Sequence, residues 1–144
     1  MLIHQLSVFI ENKSGTITTV LEAFKQANIQ IIASTISDTV DYGIFRIICS
    51  NPAQALLLLK EKGLSVTLSE VFAIELDNKP GQAATVMQIF AQSKININYL
   101  YSFLVHGKGI LIFRTNDTEK TIEVIRDNNL NYLTNDNLHK LVEE

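Results

Sequence analysis

A single internal duplication constrains this chain more than any other feature. The stretch ENKSGTITTVLEAF at 11–24 returns as DNKPGQAATVMQIF at 77–90. The same offset of sixty-six residues carries Asn12 to Asn78, Lys13 to Lys79, Gly15 to Gly81, Val20 to Val86 and Phe24 to Phe90. Beyond that stretch it carries Ile29 to Ile95, Ile31 to Ile97, Gly43 to Gly109, Ile44 to Ile110 and Leu64 to Leu130, with no insertion. Two such periods nearly exhaust the 144 residues. The period is too long for one turn of a solenoid and fits a small domain written in tandem. The expected domains are residues 1–69 and 70–144, separated by only Ser69 and Glu70. A chain of half this length supports only a marginal core, so the two halves are expected to pack as a pseudo-symmetric pair.

Within one copy, residues 2–10 alternate around Leu2, Leu6 and Val8 and predict a strand. After the ENKSG turn, Ile17, Val20, Leu21, Phe24 and Ala27 recur at helical spacing and mark one buried face. Residues 29–37 are β-branched and predict a second strand, 38–43 a turn and 44–49 a third strand. Asn51 is placed to cap a helix with Pro52 in its first turn, running over 53–62 and stopped by Gly63. Residues 64–68 predict a fourth strand. The second copy repeats the order: strand 71–77, helix 82–92, strand 95–105, turn 106–109, strand 110–115, helix 118–127 and strand 130–133. Residues 134–144 predict a short helix capped by Thr134 or Asn135. A βαββαβ order is the ferredoxin-like arrangement. The predicted class is α+β: two tandem ferredoxin-like units, each an antiparallel sheet with two helices on one face.

Composition narrows the function. The chain is 47% hydrophobic and 19% charged, as a globular protein is. A formal net charge of −3 with only three arginines argues against a nucleic-acid partner, which needs a basic face. The third strands, GIFRIICS and GILIFRTN, lack the basic and aromatic pattern of an RNA-recognition sheet. Cys49 is the single cysteine, so no internal disulfide forms; it reads as a core residue. No run approaches the ~18 apolar residues of a membrane span, and no basic-then-apolar leader is present. The expectation is a soluble cytoplasmic protein with no membrane partner. His4, His106 and His139 fall on a strand, a turn and the tail, without metal-ligand spacing. No nucleophile–base set or phosphate loop is present. No catalysis, metal or cofactor is expected.

The repeated turn has binding chemistry of its own. Gly15 and Gly81 permit backbone angles that a Cβ blocks. The residues after them open a helix whose first amides have no internal partner and suit a carboxylate or phosphate. Asn12 and Asn78 each offer an acceptor and two donors. Neutral and polar, with backbone donors on one side, such a turn suits a zwitterion such as a free amino acid. An ordinary structural turn and cap has the same residues.

The stretch VFAIELDNKPGQAATVMQIFAQSKININYLYS at 71–102 resembles the opening of an ACT domain, VEVxDxPGxLAxxxxxLAxxxINI. The first copy, LSVFIENKSGTITTVLEAFKQANIQIIASTIS, matches more loosely, with Ser14 where the family usually has proline. The resemblance covers nearly all of both halves and is similar to a stand-alone double ACT protein. It implies a regulatory module for a small ligand, most often an amino acid, held between the strand-to-helix turn of one domain and the start of the second strand of the other. Carried onto this chain, the turn positions are Asn12, Lys13, Ser14, Gly15 and Thr16, with Asn78, Lys79, Pro80, Gly81 and Gln82. The second-strand positions are 29–32, including Ile31, and Asn96, Ile97 and Asn98. Because the second half offers Asn96 and Asn98 where the first has Gln30 and Ile32, the first turn with the second half's asparagines is expected to be the better site. Tyr99, Tyr101 and Phe103 alternate beside it and either pack at a domain or dimer interface or line the pocket. The implied partners are a free amino acid or related small acid, a separate metabolic enzyme and further copies of the chain. The alternative is an accessory subunit of an enzyme that binds no small ligand.

Overall fold

Periodicity and punctuation resolve into six strands and five helices among the residues described in the computed structural model, 1–11, 13–38 and 42–143. The elements are β1 (Ile3–Glu11), α1 (Thr16–Gln26), β2 (Ile31–Asp38), β3 (Tyr42–Cys49), α2 (Pro52–Glu61), β4 (Ser65–Asp77), α3 (Gln82–Gln92), β5 (Ile97–Val105), β6 (Lys108–Thr115), α4 (Thr118–Asp127) and α5 (Asn135–Glu143). They follow the βαββαβ order roughly twice, with β4 ending the first round and opening the second and a bridge standing for the last strand, in the tandem ferredoxin-like α+β fold. The chain divides into two compact units, His4–Ser69 and Glu70–Glu144, with Met1–Ile3 grouping with the latter.

In the unit His4–Ser69, β3 pairs antiparallel with β1 on one side and β2 on the other. Leu6, Val8 and Ile10 on β1 and Phe45 and Ile47 on β3 meet Val20 and Phe24 of α1 and Ala55 and Leu59 of α2, forming one buried cluster. In the unit Glu70–Glu144, β6 pairs with β4 and β5 in the same way. There Phe72 and Ile74 with Leu111 and Phe113 meet Val86 and Phe90 of α3 and Val124 and Ile125 of α4. Burying one such large side chain stabilises by roughly 1.5–3 kcal/mol, so each cluster is the main local source of order.

The first four helices stop in one way. The amides of Ile29, Leu64, Ile95 and Leu130 reach back to the carbonyls of Phe24, Leu59, Phe90 and Ile125. Asn28, Gly63, Lys94 and Asn129 turn the chain with positive φ just before. This is the Schellman closure, with glycine at only one of its four occurrences.

Several expectations change. The strands expected at 64–68 and 71–77 are one continuous strand, β4, because neither Ser69 nor Glu70 imposes a turn. The strand expected at 130–133 shrinks to a single antiparallel bridge, Ile74 to Tyr132. Asn129 closes α4 on one side of it, and on the other Thr134 caps α5 by accepting the Asn137 amide at 3.2 Å, so no length remains. Ile17 and Leu21 belong to the apolar stripe of α1 by spacing but are 39% and 42% exposed; Val20, Ala23 and Phe24 take the buried face. The expected turn at 38–43 lies mostly outside the described residues.

Candidate functional site

The two glycine turns have nearly identical backbones. Gly15 stands at φ 92°, ψ −10° and Gly81 at φ 90°, ψ −12°, both left-handed and both at the N-cap of their helix. No side chain caps either helix. A Cβ built on either glycine meets nothing within 4 Å, so the backbone angle, not space, demands glycine. The carbonyls of Gly15 and Gly81 each accept from a threonine one turn on, Thr19 and Thr85, through both amide and hydroxyl. At the second turn the Gln82 amide donates to the Lys79 carbonyl at 3.3 Å; first-turn amides that face out of a helix end suit an anion.

The surroundings of the turns differ. Beside the first lies a cavity of about 660 Å³ within its own unit. Its polar side is Glu11, Lys13, Ser14, Gly15, Thr16 and Thr19; its apolar side is Phe9, Tyr42 and Leu64. The Phe9 and Tyr42 rings stand 5.8 Å apart at 56°. Lys13 pairs with Glu11 at 2.8 Å across exposed surface. That hydrogen bond and the charge behind it hold the Glu11 carboxyl below, and the Lys13 ammonium above, their ordinary ranges. At the second turn the duplicate of Phe9 is Glu75 and that of Tyr42 is Lys108. Lys108 bonds Asp77, lowering the pKa of Asp77 and raising its own through the hydrogen bond first and the charge second. An uncharged aromatic wall in the first half becomes an ion pair in the second.

The expected site residues fall as follows. Lys13, Ser14, Gly15, Asn78, Lys79, Pro80, Gly81 and Gln82 are exposed, and Thr16 is half-buried and donates to the Lys13 carbonyl. Asn12 lies outside the described residues. Ile31 and Ile97 are half-buried first residues of their strands. In both halves the register slips just after them, placing Ile32 and Asn98 at a bulge, a device that re-aims a side chain. Asn96 is tied down by its backbone: its amide donates to Asn116 Oδ1 at 3.0 Å and its carbonyl accepts from the Asn116 amide. Gln30 and Ser50 make the same clasp in the first half. Asn98 is exposed.

Sequence reasoning missed Phe9, Tyr42 and Leu64 as cavity walls. The available signal was departure from the repeat: aromatic residues replaced by charged ones at the same two strand positions. Cys49 is buried in the core, and burial pushes its thiol up. Among the described residues no His, Cys, Asp or Glu group is arranged to hold a metal, and no helix is long and apolar enough to cross a membrane. His106 Nε2 lies 3.0 Å from the Leu141 carbonyl, joining the β5–β6 turn to α5.

The family model described as an ACT domain pair matches residues 1–142. No curated protein matches. Among solved structures, protein BT0572 from Bacteroides thetaiotaomicron shares 35% identity, covers 98% of each chain and superposes with a TM-score of 0.92. The regulatory subunit of aspartate kinase from Thermus thermophilus, in its ligand-free form, shares 16% identity over 88% of this chain and 93% of its own, with a TM-score of 0.62. The same subunit from Thermus flavus shares 17% over the same fractions, with a TM-score of 0.58. At those identities the aspartate kinase subunits speak for the fold alone.

Proposed function

The chain belongs to the family of ACT domain pairs, and on that premise we propose that it is a non-catalytic regulatory protein that binds a free amino acid or a related small acid. The observation that carries this reading is the first turn: an uncapped helix start at Gly15 opening onto a cavity of about 660 Å³ with one polar and one aromatic side. The ligand's carboxylate lies against the first-turn amides, where the helix dipole favours negative charge. Its ammonium meets Glu11, and its side chain lies on Phe9 and Tyr42. Thr16 and Thr19 complete the cavity's polar side. Ligand shifts the population of arrangements by its differential affinity for them, and a separate cytoplasmic enzyme or a homo-oligomer reads the shift. Membership in the family of ACT domain pairs supports the regulatory half of this reading.

The test is thermal melting against each common amino acid at millimolar concentration. A ligand at a hundred times its Kd adds about 2.7 kcal/mol and raises Tm by several degrees. Phe9→Ala is expected to abolish that shift, the loss of its ring contact with Tyr42 being read separately from the unliganded Tm. If no amino acid or small acid shifts the Tm, the ligand-binding reading falls and the accessory-subunit reading replaces it.

A further inference from the structure

Alternation along β1 turns Val8 and Ile10 into the buried cluster and leaves Phe9 and Glu11 on the opposite face. The pairing with β3 sets Tyr42 directly across from Glu11, so Phe9, Glu11 and Tyr42 share that face. Phe9 is 38% exposed and Tyr42 42%. Both line the cavity beside the first turn, together with Leu64. Its volume of about 660 Å³ falls within the range of small-molecule sites, roughly 300–1,000 Å³. Its charged side chains are Glu11 and Lys13, which pair with each other. The wall itself is uncharged and aromatic, and it begins next but one along β1 from the carboxylate assigned to the ligand's ammonium. The duplicate positions hold Glu75 and Lys108, with Lys108 bonded to Asp77, the counterpart of Glu11.

Resting on the amino-acid reading of this cavity, we infer that Phe9 and Tyr42 set its specificity and that the ligand is an α-amino acid with an aromatic side chain, bound once per chain. With its carboxylate at the Gly15 turn and its ammonium at Glu11, the ligand's α-carbon is held beside the turn and its side chain leaves towards the two rings. Those rings stand 5.8 Å apart at 56°. A third ring extends the tilted pair through offset or edge-to-face contact, the arrangement aromatic rings favour at about 4.5–7 Å. An aliphatic side chain covers the rings without that directional gain. An acidic side chain gives up its water to meet the negative faces of the rings. A Lys or Arg side chain is attracted to those faces, but it loses water against Leu64 with Glu11 already taken by the α-ammonium. At the second turn Glu75 and Lys108 offer a ring no apolar face, and Asp77 is engaged by Lys108. That turn therefore takes no such ligand.

The chain has no tryptophan, so added L-tryptophan reports its own burial through a blue shift of its indole emission. Isothermal titration with phenylalanine, tyrosine, tryptophan, leucine, lysine and glutamate gives a Kd and a stoichiometry for each. The three aromatic amino acids are expected to bind tightest, at one per chain. Phe9→Leu and Tyr42→Leu keep the wall apolar. Each is expected to raise the Kd for phenylalanine about 2- to 10-fold and to leave the Kd for leucine nearly unchanged, a change of ratio that general damage to the fold does not produce. Phe9→Glu with Tyr42→Lys copies the second half into the first and is expected to abolish phenylalanine binding, with circular dichroism confirming the fold. Leucine, lysine or glutamate binding as tightly as phenylalanine overturns the inference and leaves the amino-acid reading in place. So does an aromatic preference that survives both leucine variants, or a stoichiometry of two. Binding of none of the three aromatic amino acids also overturns it, and the full panel of amino acids then decides whether the broader reading falls with it.

Discussion

Gly15 and Gly81 hold the chain in the same left-handed conformation, yet what stands around them differs: Phe9 and Tyr42 in the first half, Glu75 and Lys108 in the second. The cores differ as well. Leu6, Phe24 and Ile47 in the first half correspond to Phe72, Phe90 and Phe113 in the second. Cys49 and Ala55 correspond to Thr115 and Thr121, whose hydroxyls bond at 2.7 Å. Duplication retains what only glycine or an apolar periodicity can supply. Positions where several side chains satisfy the same backbone are free to take up separate tasks, which here means an aromatic pair beside one turn and charged residues at the same positions beside the other.

The largest expected effect tests the cores. Phe24→Ala and Phe90→Ala each remove a fully buried ring, at about 3–5 kcal/mol. Phe90 should cost more than Phe24, because its ring lies 5.3 Å from Phe113 and such pairs add about 0.5–1.5 kcal/mol. Urea unfolding of the two variants measures the difference, and equal losses would break this comparison. Next is the threonine pair. Thr121→Ala takes away the partner of the Thr115 hydroxyl and is expected to cost about 1–3 kcal/mol. Thr115→Cys combined with Thr121→Ala copies the first half and should recover most of the loss, a coupling that a double-mutant cycle reads directly.

Gly15→Ala and Gly81→Ala come third. Each places a Cβ at φ near +90° without a clash, so strain alone acts, at about 1–2 kcal/mol. The two losses should agree, whereas an amino-acid-induced rise in Tm should be lost only in Gly15→Ala. The smallest effect is electrostatic. The Asp77 carboxyl is lowered and the Lys108 ammonium raised by their mutual bond. That pair's contribution is therefore lost as pH falls through the folded value of Asp77, and separately as pH rises through the folded value of Lys108. Both groups are exposed, so solvent screens them. Asp77→Asn should lower Tm slightly at neutral pH and low salt and leave it unchanged at high salt; a salt-independent loss would contradict the assignment.

Much of this was legible in the chain. The sixty-six-residue offset, the helix start at Asn51 and the glycine turns announced two βαββαβ units, because periodicity and caps are local chemistry. Ile17 and Leu21 were misjudged because an apolar stripe is wider than the face a two-helix layer can cover. The turns were found as candidates, but Phe9 and Tyr42 were not. They lie on different strands and become neighbours only when β1 pairs with β3, bringing Glu11 opposite Tyr42.

Sequence alone determined the duplicated fold, the positions that require glycine and the apolar faces, since each follows from backbone sterics and the period of burial over a few residues. Tertiary structure decided that β4 runs unbroken through Ser69 and Glu70, that 130–133 is a bridge, and that one turn has an aromatic wall and the other an ion pair. It also decided that β5 is an edge, which gives Leu100 and Leu104 their exposure. These outcomes depend on which distant strands become neighbours, and strand pairing is chosen by the whole layer rather than by the residues that carry it.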